Sequence, residues 1–223
     1  MIHQCITRRG PGKFRRGLLL LLLGSPCWGQ HYFVTALGGI STLSADAAAQ
    51  LEPQNAVSLY DPKNGPALNV AGGFHLNNWF SVQANYIWNR NRLTMTEVLG
   101  AASWQQERDA SQHAAIADLL LYFRPRQSRI RPYLSAGSGV VSIQTRATGP
   151  ASGALTPAHP EVDAVKLPLR VAVGIDLLWR AGWGFRYSFS ETITGNPISK
   201  SLSPAGSRAL KNFQNLFGFV KYF

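Results

Sequence analysis

Cysteine and long apolar segments are scarce in this chain of 223 residues. Its two cysteines, Cys5 and Cys27, both lie within the first 29 residues. No apolar stretch approaches the roughly 20 residues that a membrane-spanning helix needs. Without cysteines after residue 29, the remainder can form neither a disulfide nor a cysteine-ligated metal site.

The first 29 residues have the three parts of a secretory signal peptide. Five basic residues come first, residues 17–23 contain six leucines, and residues 27–29 place small side chains where a signal peptidase cleaves. We therefore expect a signal peptide over residues 1–29 and a single domain over residues 30–223. Losing five of the 22 basic residues leaves 17 against 11 acidic ones, a net charge of +6, so a nucleic-acid partner is not expected.

After residue 29, apolar and polar residues alternate with a period of two, as in β-strands with one apolar face. In residues 166–179, for example, one face carries Leu169, Val171 and Val173, and the other carries Arg170 and Asp176. The pattern predicts an all-β chain of eight strands, at approximately 31–42, 68–77, 79–98, 103–124, 131–146, 162–179, 183–194 and 210–223.

Two architectures fit alternating strands. A soluble sandwich or barrel points its apolar face inward, where space is limited. A transmembrane barrel points that face toward lipid and encloses small or polar residues. The apolar rows here consist of large side chains, and the opposite rows are rich in Gly, Ala, Ser and Asn with a few charges. This composition favours a closed antiparallel transmembrane β-barrel of eight strands.

The joints between the predicted strands tend to alternate in length. Residues 43–67, 147–161 and 195–209 are long joints, 77–78, 125–130 and 180–182 are short, and 99–102 is of modest length. Bacterial barrels have short periplasmic turns and long outer loops. An even number of strands then places both termini in the periplasm.

Two motifs resemble those of small bacterial outer-membrane barrels. The chain ends Phe217-Gly218-Phe219-Val220-Lys221-Tyr222-Phe223, which resembles a C-terminal assembly signal with Phe219 and Phe223 as its aromatic positions. Residues 131–139, which begin Arg-Pro-Tyr, resemble a strand of barrels of the OmpA, OmpX and opacity type. The resemblance implies a bacterial outer-membrane location, contact with lipid and lipopolysaccharide, and recognition by the barrel-assembly machinery.

Four charged residues fall on the predicted inward faces: Asp118, Arg170, Asp176 and Arg186. Charges inside a narrow barrel must be paired or hydrated. They could form a gate or ion path, or a structural salt-bridge network. We expect the network, because eight strands leave room for side chains and little else.

Other polar residues are expected to face outward. Ser111 and His113, with Glu107 and Asp109 nearby, loosely resemble the serine–histidine pair of outer-membrane lipid A deacylases, but a polar strand extension explains them as well. Arg90 and Arg92 are candidates for contact with lipopolysaccharide phosphates. The group Arg124, Arg126, Arg129 and Arg131 either meets phosphate headgroups or forms a solvated turn.

The remaining residue patterns predict no chemistry. Aromatic residues lie near many strand ends, as expected at the two membrane interfaces. The histidines His31, His75 and His159 are too dispersed for a metal site, and no cofactor motif is present. The sequence thus predicts a non-enzymatic integral barrel with a structural or surface-interaction role. The alternatives are a narrow channel for small solutes and a lipid-modifying enzyme of the deacylase kind. No ligand of the outer loops can be read from it.

Overall fold

The computed structural model describes residues 32–52, 55–154 and 161–223. The predicted signal segment 1–29, His31 and His159 lie outside the described residues. No helix in the described part is long and apolar enough to cross a membrane. Its strands are β1 (Tyr32–Leu43), β2 (Asp46–Gln50), β3 (Ala56–Pro62), β4 (Gly65–His75), β5 (Phe80–Leu99), β6 (Ala102–Tyr122), β7 (Ile130–Ala147), β8 (Ser152–Gly153), β9 (Asp163–Lys166), β10 (Leu169–Leu178), β11 (Trp183–Gly195) and β12 (Ala209–Tyr222).

Eight of these strands form a closed ring. Its order is β1, β4, β5, β6, β7, β10, β11 and β12, and β12 pairs again with β1. Every pairing between neighbours is antiparallel. The prediction of an all-β chain closed into an antiparallel ring of eight strands is confirmed.

The two ends of the ring differ. Residues 76–79, 123–129 and 179–182 form short connections at one end, which also holds Tyr32 and Phe223; we call it the turn end. The opposite end, the loop end, carries the hairpin of β2 and β3 on β5, and the short strands β8 and β9. The joint near 99–102 is a two-residue turn with Gly100 at φ 58°, between strands of 20 and 21 residues. The chain therefore extends far from the membrane here through the long strands β5 and β6, and not through a long loop.

Pro168 divides the strand predicted over residues 162–179. Lys166 is paired with Val141 and Leu169 with Ser138, so β9 and β10 keep one register along β7. Proline has no N–H to donate to the ladder, and strands therefore break or bend at it. The predicted strand is therefore a single extended segment that is interrupted at Pro168.

Large apolar residues face outward over the turn-end half of the ring. Leu169, Val173 and Phe219 are 56%, 51% and 56% exposed, whereas Arg170 and Asp176 are 2% and 0% exposed. A side-chain period of two puts these residues on opposite faces of one wall. Such a surface, apolar outside and polar inside, is that of a barrel in lipid.

The interior of the loop end corrects the expectation of a uniformly small and polar lumen. A buried apolar cluster fills it, with Leu93, Met95 and Ile143 at 0% exposure and Trp104 at 1%. Most outward residues of β5 and β6 beside the cluster are polar, including the exposed side chains of Arg92 and Gln105, whereas Val57 and Leu59 on β3 are apolar and exposed. On β5 and β6 at the loop end, therefore, the polarity of the wall is reversed, as in a water-soluble barrel.

Replacing Gly137 on β7 by alanine should destabilise the barrel. A Cβ there would lie 2.1 Å from the backbone oxygen of Ala117 and 2.2 Å from the carboxylate of Asp118, so the wall must shift. We expect a loss of about 1–3 kcal/mol, typical of overpacking, measured by urea unfolding in lipid vesicles. Gly72→Ala is the matched control, because its Cβ would meet nothing nearer than Val34 at 4.0 Å. Equal stability of the two variants would contradict this account.

Candidate functional site in the barrel lumen

An arginine and an aspartate form the centre of the lumen near the turn end. Asp176 on β10 and Arg186 on β11 are paired in register, so their side chains project inward at one level. The Nε atom of Arg186 donates to Oδ1 of Asp176 at 2.6 Å, and Nη2 donates to Oδ2 at 2.7 Å. This two-point contact is the strongest geometry available to such a pair.

Polar groups from other strands complete this arrangement. Arg186 also donates to Oε1 of Gln83 at 2.8 Å and to the hydroxyl of Tyr122 at 2.9 Å. The hydroxyl of Tyr222 donates to Asp176. We call these five residues the turn-end layer. Because they come from β5, β6, β10, β11 and β12, the layer ties together strands all round the ring.

A second ion pair lies closer to the loop end. Arg170 on β10 donates to Asp118 on β6, which also accepts from the side-chain amide of Asn85 at 3.0 Å. Gly137 on β7 lies opposite both Asp118 and Arg170 in register. Since glycine has no side chain, the arginine can reach across the intervening strand. The structure thus brings the four predicted lumen charges together as two separate pairs.

Sequence reasoning missed Arg131. The sequence groups it with the turn arginines, but it is 1% exposed and its guanidinium lies 3.9 Å from the centre of the Tyr122 ring. Its Nε and Nη2 atoms make no hydrogen bond. Arg131 lies two residues before the buried Tyr133 on β7, so the period of two already placed both side chains on the inner face. Trp104 and Tyr222 are likewise buried inside rather than placed at a membrane interface.

The connection between β11 and β12 covers the apolar cluster at the loop end. Ile198 and Leu202 are 0% and 5% exposed and belong to that cluster. The side chain of Asn196 donates to the hydroxyl of Tyr60 at 2.9 Å, and burial raises the pKa of Tyr60 above its ordinary value. The backbone N–H of Ser203 donates to Glu97 at 2.8 Å. This connection therefore folds into the mouth of the barrel.

The predicted serine and histidine lie on the outer face. Oγ of Ser111 is 3.4 Å from Nε2 of His113, and the hydroxyl of Tyr86 lies 2.8 Å from Nδ1. Asp109 pairs with Arg90. A serine activated by a histidine normally needs a short contact and a group that orients the ring. Here the contact is long, and a tyrosine takes the place of an acid.

A groove of about 520 Å³ lies beside these residues on the outer face. Arg90 and Arg146 line it, together with Trp88 and Gln144. Arg92 is exposed and lies opposite Asp109 in register. Of the two arginines predicted to meet lipopolysaccharide, Arg90 forms an ion pair with Asp109. Within the described residues, no group of three or more His, Cys, Asp or Glu side chains is placed to hold a metal ion.

The C-terminal strand has the predicted aromatic pattern. Phe219 and Phe223 are 56% and 42% exposed on the outside of the barrel. The backbone N–H of Phe223 donates to the oxygen of Tyr32 at 2.9 Å, so the last strand closes against the first.

Residues 29–215 match the family model described as "Outer membrane protein beta-barrel domain". The chain belongs to this family. It is a small outer-membrane β-barrel protein, located in the outer membrane of a bacterium. Because periplasmic turns are short in such barrels, we infer that the turn end faces the periplasm and the loop end faces outward.

The outer-membrane barrel is also similar to solved structures. OprG of Pseudomonas aeruginosa aligns with a TM-score of 0.49 and 14% identity, over 86% of this chain and 96% of that one. Neisserial surface protein A aligns at 0.44 and 12%, over 86% and 97%. The outer membrane protease OmpT of Escherichia coli aligns at 0.40 and 10%, over 86% and 97%. A search of curated proteins found no match.

Replacing Arg186 by methionine should destabilise the barrel strongly. The change leaves the buried carboxylate of Asp176 without its two-point partner, which typically costs about 3–5 kcal/mol. Urea unfolding in vesicles, followed by the gel mobility of unheated samples, measures the loss. Arg90→Gln is the control, because it breaks an ion pair whose arginine is 58% exposed and should cost no more than about 1 kcal/mol.

A double variant separates the pair from a general packing effect. Arg186→Met combined with Asp176→Leu removes both charges, so it should recover much of the stability lost in Arg186→Met. If Arg186→Met unfolds at the same urea concentration as Arg90→Gln, the turn-end layer does not stabilise the barrel.

Proposed function

We propose that this protein is a non-enzymatic outer-membrane barrel with a closed lumen, which has a structural or surface-interaction role. The observation that carries the proposal is the turn-end layer. Its residues span the lumen from several strands, and Asp176 and Arg186 are 0% and 1% exposed. A ring of eight strands leaves space for side chains and little more, so a fully bonded layer occupies the passage.

Two further barriers block the lumen between this layer and the loop end. The pair of Arg170 and Asp118 has side-chain exposures of 2% and 0%. Beyond it lie the apolar cluster and the covering residues Ile198 and Leu202. An ion would have to displace paired charges and then cross an apolar section, and both steps are costly.

The surface at the loop end supports an interaction role. The strands β5 and β6 continue to Leu99 and Ala102, and the hairpin of β2 and β3 extends the same sheet. Its outward face is mostly polar on β5 and β6, and the hairpin adds the exposed apolar side chains of Val57 and Leu59. Its inward face packs around the apolar cluster. A section built in this way is stable in water, so it presents a folded surface outside the membrane rather than loose loops.

A conductance measurement tests the closed lumen. Wild-type protein in planar bilayers should produce no channel openings, whereas a porin measured in parallel should. The double variant Asp176→Ala with Arg186→Ala removes the centre of the turn-end layer without leaving an unpaired charge. Steady wild-type currents that increase in this variant would instead make the lumen an ion path, and the channel alternative would be correct.

We also propose that Arg90 and Arg92 contact lipopolysaccharide phosphates from the outer face. Both side chains are exposed, and arginine pairs with phosphate through two hydrogen bonds. Arg90→Gln with Arg92→Gln should lower the lipopolysaccharide that co-purifies with the barrel, measured by mass spectrometry. Arg124→Gln with Arg129→Gln, at the turn end, removes equal charge and should leave it unchanged. Unchanged lipopolysaccharide in the first variant would refute the contact.

One observation favours a second candidate, a lipid-modifying enzyme. Ser111 and His113 share the outward face at a separation of 3.4 Å between Oγ and Nε2. Mass spectrometry of lipid A from cells with and without the protein tests this directly. We expect identical lipid A in both. A loss of acyl chains that requires His113, tested with His113→Ala, would replace the non-enzymatic proposal.

A further inference from the structure

Three exposed arginines lie at the turn end on neighbouring strands. Arg124 follows the end of β6, Arg129 precedes the start of β7, and Arg180 follows the end of β10. The strands β6, β7 and β10 are adjacent in the ring. Neighbouring strands lie about 4.8 Å apart, so the three backbone positions fall within roughly 10 Å along the rim. We call these three residues the rim arginines.

Backbone hydrogen bonds hold the two turns that carry the rim arginines. The N–H of Leu178 donates to the oxygen of Arg129 at 2.7 Å, and that of Phe123 donates to the oxygen of Pro132 at 2.9 Å. The backbone positions of the arginines are therefore fixed, and only their side chains need to adapt to a ligand.

The charge at this rim is of one sign. The connections 76–79, 123–129 and 179–182 contain no aspartate or glutamate. None of the rim arginines forms an ion pair with another residue of 32–52, 55–154 or 161–223. Asp176, on the same end of β10, is buried and bonded to Arg186. Arg126 lies in the same turn as Arg124 and Arg129, and its pKa is lowered by burial and by the nearby charge of Arg131.

An apolar wall adjoins the rim arginines. Phe123 is 58% exposed, Ile130 46% and Trp179 54%, and all three lie beside an arginine in the sequence. Leu134 and Leu177 continue the wall toward the middle of the barrel, at 49% and 39% exposure. Exposed tryptophan and phenylalanine at the end of such a wall mark the membrane interface. The rim arginines therefore lie at the level of lipid headgroups.

We propose that the rim arginines and the adjoining wall form a binding site for an anionic phospholipid of the inner leaflet of the outer membrane. The lipid phosphate accepts hydrogen bonds from the guanidinium groups, and the acyl chains lie on the apolar wall. Because the turn end faces the periplasm, the lipid it meets is a phospholipid rather than lipopolysaccharide. Arginine suits this role, since its planar fork binds two phosphate oxygens together.

The test measures lipid binding to the purified, delipidated full-length mature protein. Native mass spectrometry in non-ionic detergent gives the fraction of protein that carries phosphatidylglycerol, phosphatidylethanolamine or lipid A at each lipid concentration. The wild type should bind phosphatidylglycerol more tightly than the zwitterionic phosphatidylethanolamine. The triple variant R124Q/R129Q/R180Q should lose affinity for phosphatidylglycerol by roughly fivefold for each arginine removed.

A matched variant controls for net charge. K63Q/K200Q/R208Q removes three exposed positive charges at the loop end that belong to neither proposed lipid site, and it should bind phosphatidylglycerol as the wild type does. R124K/R129K/R180K keeps the charge without the planar fork and should give an intermediate affinity. Gel mobility of unheated samples establishes that each variant is folded.

Three results would overturn the proposal. The first is unchanged phosphatidylglycerol binding in folded R124Q/R129Q/R180Q. The second is an equal loss in the loop-end variant, which would make the effect one of net charge alone. The third is a preference for lipid A over phosphatidylglycerol that depends on the rim arginines, which would assign the site to lipopolysaccharide.

Discussion

Closure of the backbone hydrogen-bond ladder is the constraint on which this structure depends. Lipid offers no partner for an exposed N–H or C=O, so a sheet in the membrane must have no free edge. Here the first strand pairs with the last over eleven residue pairs, from Phe33 with Tyr222 to Leu43 with Asn212. Once the ring is closed, it has only one inside and one outside. The period of two then assigns every side chain of the wall to lipid or to the lumen.

The reversal of polarity along the wall follows from the different solvents at its two ends. Around the turn-end half the outside meets hydrocarbon, so Val173 and Phe219 face outward and Arg186 is enclosed. The long strands β5 and β6 extend the wall toward the loop end, where the outside is polar and the hydrophobic effect directs apolar side chains inward. Leu93, Met95 and Trp104 therefore form a core of the water-soluble kind. The barrel is thus compatible with lipid at one end and with water at the other, because its apolar side chains change from the outer to the inner face along its length.

Most of this architecture could be predicted because alternation is a local signal. It gave the approximate limits of all eight ring strands and the inward face of Asp118, Arg170, Asp176 and Arg186. Partners across the ring could not be predicted, since which arginine meets which aspartate depends on register and on the gap at Gly137. The core at the loop end was missed for a similar reason. Alternation shows that two faces differ in polarity, but which face is enclosed depends on where the membrane ends.

The buried ion pairs have a consequence for register as well as for stability. A slip of one residue turns every side chain to the other face of a strand. For β10 such a slip would move Arg170 and Asp176 from the lumen into hydrocarbon, where a charge costs several kcal/mol. A slip of two residues keeps the charges inside the lumen but separates Asp176 from Arg186. It also takes Arg170 out of register with Gly137, so a different residue of β7 then lies between Arg170 and Asp118. Paired charges in the lumen therefore penalise each wrong register, which the outward rows of Leu and Val alone would tolerate at even slips.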